Sequence, residues 1–185
     1  MMRPLLVVAG ALAALALTTP SAGAAACPEQ PLARTFQPWL DLAWYQGAPD
    51  GGFERGGSWT LSGGAAIVDG NQPFLAGERS LDLPAGASAT TAPICVTVAH
   101  PTLRFFARNT GASLAPLGVS VVFRTLLGLR VELPVGVVLA GAQWAPSPIL
   151  PVLGNLLSNE VQFRFRPAGG GWQLDDLYVD PYSKG

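Results

Sequence analysis

The chain has few of the residues from which metal and catalytic sites are usually built. Its 185 residues include one histidine and two cysteines, too few for the several His or Cys ligands of a zinc centre. A Ser-His-Asp triad would need His100, which precedes a proline at the expected end of a strand, and no serine lies in a G-x-S-x-G motif. The acidic residues stand in no recognisable setting for glycoside hydrolysis. The sequence therefore predicts a protein without enzymatic activity.

Charged residues are also scarce. They make up 12% of the chain, against about 25% in an average globular protein, and the net charge is −1. No basic excess points to nucleic acid or to an anionic membrane as a partner. The 22 glycines and 17 prolines disfavour helices, because both residues destabilise a helix interior.

The amino terminus has the composition of a secretory signal peptide. Arg3 precedes an apolar run from Leu5 to Leu17, and small residues follow as far as Ala26. The apolar run is too short to span a membrane comfortably. We therefore expect residues 1–26 to be a signal peptide and the mature protein to be secreted, to form one domain and not to be an integral membrane protein.

Cys27 and Cys95 are the two cysteines of the chain. Export places them in an oxidising compartment, where an even number of cysteines predicts a disulfide. A second interpretation stays open, because small residues also precede the acylated cysteine of lipoproteins. In that case Cys27 is the lipidated first residue of the mature chain and Cys95 has no disulfide partner.

Alternating apolar and polar residues predict strands along most of the mature chain. In the segment 161–181, Phe163 and Phe165 should be buried, while Arg164 and Arg166 should be exposed. The glycines at 169–171 predict a hairpin turn into a final strand at 172–179. A second hairpin is expected between residues 59–61 and 65–68.

These strands predict the fold class. About ten short strands without a sustained helical period indicate an all-β protein with two antiparallel sheets, a β-sandwich. The sandwich should span residues 51–185. Residues 27–50, rich in proline and aromatic side chains, are expected to form a short apolar lead-in segment that packs on the sandwich.

Two stretches of the sequence resemble a known family. GGFERGGSWTLSGGA at 51–65 and FRFRPAGGGWQLDDLYVDP at 163–181 are similar to the first and final strands of jelly-roll carbohydrate-binding modules and of the wider galactose-binding-like sandwiches. The overall pattern is also similar to that of small secreted actinobacterial proteins. The resemblance implies a jelly roll and a secreted, non-catalytic module that binds carbohydrate or a cell-envelope surface. The alternative is a structural or protein-interaction β-sandwich of the envelope that has no small-molecule ligand.

The same resemblance implies a structural calcium ion near the junction of the first and final strands. Glu54 and Asp175 match positions that help to form such a site, and Asp176 is the alternative to Asp175. A bulge between the two aspartates would turn one carboxylate into the protein. In the alternative interpretation, these carboxylates cap turns or pair with arginines.

A ligand is expected on an outer face of the sandwich. Sugars bind to aromatic rings and planar polar groups, because a sugar has both apolar and polar surfaces. If Leu103 and Phe105 fill the core, the side chains between them and beside them point outward. The residues expected to contact a ligand are Arg104, Phe106, Arg124, Trp144, Arg164 and Arg166. The alternative is that they form an ordinary solvated face of a sheet.

Overall fold

A computed structural model describes residues 31–96, 101–111, 114–152 and 160–180. The expected signal peptide at 1–26, Cys27 and His100 lie outside the described residues. Export, the disulfide between Cys27 and Cys95 and the lipoprotein alternative therefore stay predictions. No helix among the residues described has the length and apolar character needed to cross a membrane.

The described ranges form fourteen strands and one 3-10 helix, Gln37–Trp39. The strands are β1 (Leu32–Ala33), β2 (Tyr45–Gly47), β3 (Thr60–Ser62), β4 (Ala66–Asp69), β5 (Arg79–Leu83), β6 (Ser88–Thr90), β7 (Ile94–Cys95), β8 (Thr102–Asn109), β9 (Leu117–Arg124), β10 (Arg130–Val138), β11 (Ala145–Pro146), β12 (Leu150–Pro151), β13 (Glu160–Pro167) and β14 (Trp172–Asp180).

The strands form two antiparallel sheets, which confirms the β-sandwich. In sheet A, β14 is central, with β8 along one edge and β5 and β2 along the other. Strand β1 extends β2, β4 extends β5, and β11 and β12 pair with β8. Sheet B has the order β10, β9, β13, β6, β3, and β7 also pairs with β13.

Both expected hairpins are in fact connections between the two sheets. Strand β13 belongs to sheet B and β14 to sheet A. In the same way, β3 pairs with β6 in sheet B, whereas β4 pairs with β5 in sheet A. The hairpin predictions were wrong because glycine-rich turns specify a reversal of the chain but not the neighbour with which the next strand bonds.

The main core lies between the sheets. Phe105 of sheet A and Phe165 of sheet B meet edge to face, with ring centroids 5.1 Å apart. Phe163 and Phe165 are both fully buried, while the Arg164 side chain is 20% exposed and the Arg166 side chain 52% exposed. The predicted register of β13 is confirmed.

The segment 31–47, here called the strap, crosses the outer face of sheet A. Strand β2 joins it to the sheet through pairing of Gly47 with Tyr178. A second, smaller core forms where the strap covers the sheet, and it contains Phe36, Tyr45 and Phe106. The Phe36 ring centroid lies 4.9 Å from that of Tyr45 and 5.2 Å from that of Phe106. The outer face of sheet A is therefore buried in this region.

Candidate functional site

The six residues expected to contact a ligand are divided between the two sides of the sandwich. Arg104 and Phe106 lie on β8 of sheet A, and Trp144 directly precedes β11 of the same sheet. Arg124 ends β9, and Arg164 and Arg166 belong to β13, all in sheet B. One ligand cannot contact all six side chains.

Arg104 and Phe106 are unavailable to a ligand, and the prediction for these two residues was wrong. Phe106 is 0% exposed. The Arg104 guanidinium pairs with Asp41 of the strap, donates hydrogen bonds to the Ser147 carbonyl oxygen at 3.1 Å and 2.9 Å, and lies 4.4 Å from the Phe36 ring centroid. Both side chains do leave the main core, as alternation predicted, but the strap then covers them.

Asp41 is held in its ionised form by this network. Burial would raise the pKa of its carboxyl group, but the Tyr45 hydroxyl at 2.7 Å, the Ala43 amide at 3.1 Å and Arg104 all stabilise the carboxylate. The pKa of Asp41 is therefore lower than its ordinary value. The Arg104–Asp41 pair fixes the strap to β8.

Trp144 is half-buried and already has a cation above its ring. The Arg108 guanidinium lies 5.1 Å from the ring centroid and donates a 2.7 Å hydrogen bond to the Gln173 side chain. The remainder of the indole packs against the second core. Only part of this ring is open to a ligand.

The outer face of sheet B carries a paired cluster of charged side chains. Glu132 accepts hydrogen bonds from Arg164 at 2.8 Å and from Arg166 at 2.6 Å. Arg164 also donates to the Thr90 hydroxyl at 2.9 Å. The carboxylate neutralises one of the two arginines, and the three side chains form one hydrogen-bonded network.

Arg124 lies apart from that cluster, at one end of sheet B. It is exposed, and it faces Arg130 directly across the β9–β10 pair. A small cavity of about 130 Å³ beside them is lined by both arginines together with Val122, Glu160, Gln162 and neighbouring residues. Two arginines and one glutamate thus surround the cavity at this end of sheet B.

A groove that sequence reasoning missed lies between the strap and the segment 72–75. One part of it, with a volume of about 370 Å³, is lined by Thr35, Pro38, Trp39, Phe74 and Leu75. The two aromatic rings meet edge to face with centroids 4.8 Å apart, and Phe74 is 43% exposed. The signal in the sequence was weak, because the two halves of the groove are more than thirty residues apart and neither half follows a strand period.

The groove continues along the strap into a second open cavity. That cavity shares Thr35, Pro38 and Leu75 with the first and extends to Arg34, Gln37 and Tyr178. Burial raises the pKa of Tyr178 to about 12, so its hydroxyl stays neutral at physiological pH and can donate and accept hydrogen bonds. The groove thus combines aromatic rings with neutral and basic polar groups.

Asp175 and Asp176 lie at a bulge in β14. The pairing with β8 shifts between Asp175 and Tyr178, and Asp176 has a φ of 48°. Asp175 is 1% exposed and accepts hydrogen bonds from the backbone amides of Gln72 at 3.0 Å and Asp176 at 2.8 Å. The Gln72 side-chain amide donates to Asp176 at 2.7 Å. The bulge therefore places the two carboxylates beneath the segment that begins at Gln72.

The electrostatics of this pair are unfavourable to two negative charges. Burial raises the pKa of Asp175 to about 8, and the charges of Asp176 and Glu54 add to the effect, although the Gln72 amide opposes it. Burial also raises the pKa of Asp176. Among the described residues, neither aspartate has a basic partner. A bound cation would relieve this repulsion.

Glu54 fits a metal less well than the aspartates do. One of its carboxylate oxygens accepts hydrogen bonds from the backbone amides of Glu78 at 2.7 Å and Arg79 at 3.1 Å, as the turn-capping alternative predicts. Within the described ranges, no group of three or more acidic, histidine or cysteine side chains converges on a metal position. The observed donor set is thus the aspartate pair, to which other oxygen ligands would have to be added.

No protein-family model matches the chain, and no curated protein matches it. Several solved structures match the chain. The CBM22-1 xylan-binding domain of Paenibacillus barcinonensis Xyn10C matches with a TM-score of 0.55 and 16% identity, over 72% of this chain and 93% of that domain. A xylan-binding domain from CBM 22 matches with a TM-score of 0.51 and 15% identity, over 73% and 99% of the two chains.

A third solved structure is the family 11 carbohydrate-binding module of Clostridium thermocellum, in complex with a β-1,3-1,4-mixed-linked tetrasaccharide. It matches with a TM-score of 0.50 and 10% identity, over 76% of this chain and 98% of that module. Because these identities are low, the likeness establishes architecture and leaves the ligand to be argued from the site. The chain has the jelly-roll β-sandwich fold that these carbohydrate-binding modules share.

Proposed function

We propose that the protein is an exported, non-catalytic module that binds a carbohydrate chain in the groove between the strap and residues 72–75. The observation that carries the proposal is the pairing of Trp39 with the exposed ring of Phe74 in an open groove. The likeness in fold to carbohydrate-binding modules supports it by analogy. Export is supported by the composition of residues 1–26.

The groove has the chemistry that a pyranose ring requires. The apolar C–H face of a sugar packs against aromatic rings, and its hydroxyl groups need donors and acceptors placed around them. Trp39 and Phe74 supply the rings, while Thr35, Gln37 and Tyr178 supply polar groups along the same groove. The groove is open along the strap, so a polymer can bind through one or two units while the rest of it extends into solvent.

The paired arginines of sheet B are the second choice for a glycan. Arg164 and Arg166 present planar donors, but Glu132 already binds both of them, and a sugar would have to compete with that carboxylate. We therefore assign the carbohydrate to the groove and regard the cluster as an ordinary solvated surface.

Binding should be tested against a panel of soluble and insoluble polysaccharides, with isothermal titration calorimetry on any that bind. Trp39→Ala and Phe74→Ala should each weaken binding by about two- to tenfold, since an aromatic contact contributes roughly 0.5 to 1.5 kcal/mol. Trp144→Ala is the matched control, because this indole packs on the same second core but does not line the groove. A reducing-sugar assay on the polysaccharides that bind should show no release.

Two results would overturn the assignment. If Trp144→Ala abolishes binding and Trp39→Ala does not, the carbohydrate lies at the other end of the second core. If the whole panel shows no binding, with and without calcium, the alternative of a structural or protein-interaction sandwich replaces this proposal.

We further propose that Asp175 and Asp176 hold a structural calcium ion. Two neighbouring carboxylates without a basic partner suit a cation that prefers oxygen ligands, and backbone carbonyl oxygens or water would complete the ligand set that side chains alone do not supply. The ion would stabilise the junction at which Leu177 donates to the Gly51 carbonyl oxygen at 3.1 Å and accepts from the Ala48 amide at 2.8 Å.

A further inference from the structure

The turn between β9 and β10 carries three exposed leucines. Leu126 is 100% exposed, Leu127 86% and Leu129 63%. Single exposed apolar residues are ordinary on protein surfaces, but a cluster at one protruding turn marks an interaction site. The groove and the carboxylate pair are built from other parts of the chain, so this cluster is separate from the sites described above.

The turn is held in shape by its own hydrogen bonds. The Thr125 amide donates to the Leu129 carbonyl oxygen at 2.9 Å, and the Gly128 amide donates to the Thr125 carbonyl oxygen at 2.8 Å. The Thr125 hydroxyl accepts from the Leu129 amide at 3.2 Å. Gly128 has a φ of 78°, which glycine adopts without strain. The leucines are thus exposed by a defined turn structure, and their exposure requires no local unfolding.

Two arginines stand at the base of the turn. Arg124 and Arg130 are directly opposite each other in the β9–β10 pair, and like charges at such positions repel. The carboxylate of Glu132, on the same strand as Arg130, is taken by Arg164 and Arg166. Glu160 lines the same cavity as these two arginines, and Arg124 also donates a 3.3 Å hydrogen bond to the Gly128 carbonyl oxygen of the turn. Two arginines and one glutamate therefore line the cavity of about 130 Å³, which leaves one net positive charge for a lipid phosphate at the base of the turn.

We propose that this turn docks the protein on an anionic lipid surface. Leu126 and Leu127 enter the apolar part of the bilayer, and Arg124 and Arg130 bind the phosphate groups of the lipids. The side chains of the hairpin are apolar at the tip and basic at the base. A bilayer leaflet has the matching arrangement, because its apolar interior lies beneath charged headgroups. With only two or three apolar side chains inserted, binding is peripheral and reversible.

The observations favour a lipid surface over the other partners that an apolar tip could have. A stable interface with a second copy buries about 800 Å² on each partner, which three leucine side chains do not supply. A glycan would satisfy the arginines, but it gives the leucines no apolar surroundings. The bilayer satisfies both parts of the hairpin at once.

The test is co-sedimentation of the protein with phosphatidylcholine vesicles and with vesicles in which part of the lipid is phosphatidylglycerol. We expect binding to the anionic vesicles, weakened by high salt. The double variant Leu126→Ser, Leu127→Ser should lose affinity by at least about tenfold, since burying one leucine contributes roughly 1.5 to 3 kcal/mol. The double variant Arg124→Gln, Arg130→Gln should lose the preference for anionic vesicles.

The matched control is the double variant Leu114→Ser, Leu139→Ser. Leu114 is 84% exposed and Leu139 is 67% exposed, and both adjoin the opposite ends of β9 and β10, so this variant makes the same two substitutions at exposed leucines in a different place. It should bind vesicles like the wild type. All the substituted residues are exposed, so equal thermal unfolding midpoints will show that no variant is misfolded.

Three results would overturn the proposal. One is wild-type protein that binds no better to anionic than to neutral vesicles. A second is an unchanged affinity in the leucine-tip variant, above all if a soluble anionic polysaccharide displaces the vesicles, which would assign the arginines to a glycan. The third is a concentration-dependent dimer, seen by light scattering and lost in the tip variant, without vesicle binding.

Discussion

Arg104 of β8 and Asp41 of the strap form an ion pair whose side chains are only 9% and 11% exposed. The pair fixes a segment near the amino terminus to the middle of sheet A. Removing one partner leaves the other charge buried, so Asp41→Ala should lower the free energy of unfolding by about 3 kcal/mol. Urea denaturation followed by tryptophan fluorescence would measure the change.

The control for this prediction is Glu132→Gln in the more exposed cluster with Arg164 and Arg166. That change should cost about 1 kcal/mol or less. The double variant Asp41→Leu, Arg104→Leu should recover much of the loss seen in Asp41→Ala, because it removes both buried charges. If Asp41→Ala proves no less stable than Glu132→Gln, the Arg104–Asp41 pair does not have this structural role.

Phe106 is a core residue of the strap region, so its truncation should affect stability. Phe106→Ala should lower the free energy of unfolding by about 3 kcal/mol, through lost burial and the cavity that remains. Leu40→Ala, at a side chain that is 92% exposed, should change stability by less than about 0.5 kcal/mol. A stable Phe106→Ala variant with impaired ligand binding would instead restore this ring to the ligand site.

The pKa of Asp175 predicts how stability changes with pH when divalent metals are removed. Its value in the folded state is raised to about 8 from an ordinary 3.8. Between these values the unfolded chain releases the proton while the folded protein keeps it, so stability falls as pH increases across this window. Thermal unfolding in EDTA should therefore show a midpoint that decreases from pH 4 towards pH 8.

Asp175→Asn removes the titrating group and should flatten that decrease, while Asp69→Asn, at an exposed aspartate in β4, should leave it unchanged. If the slopes of the wild type and Asp175→Asn agree, Asp175 does not carry the raised pKa.

Calcium should stabilise the folded protein through the aspartate pair. A ligand that binds only the folded state adds about 2.7 kcal/mol when its free concentration is about 100 times its Kd. Thermal unfolding in millimolar calcium should therefore occur several degrees higher than in EDTA, and Asp176→Asn should reduce the difference. Magnesium is the control cation. Identical midpoints in calcium and EDTA would remove the metal from this protein.

The disulfide between Cys27 and Cys95 remains to be tested on the mature protein. Intact mass under non-reducing conditions should be two hydrogen masses below the reduced value. Reduction should destabilise the fold by about 4 kcal/mol in the chain-entropy account of a loop of this length. A mass that includes acyl chains would favour the lipoprotein alternative at Cys27.

The strands and their inward faces were largely determined by the sequence itself. Phe163 and Phe165 point into the core because a strand has a period of two and burying arginine at those positions would be costly. The bulge at Asp175 and Asp176 was also predictable, since two adjacent carboxylates interrupt an apolar alternation. Such features depend on residues close together in the chain, and local periodicity records them.

Only the tertiary structure decided which strands became neighbours and which outward faces stayed exposed. Turn residues at 169–171 reverse the chain, but the pairing of β13 and β14 in different sheets depends on partners such as β9 and β8 that lie far away in sequence. Phe106 alternates outward as predicted, yet the strap buries it because Phe36 and Asp41, more than sixty residues earlier, provide better contacts than water. The groove of Trp39 and Phe74 arises in the same way, from two segments that no sequence period connects.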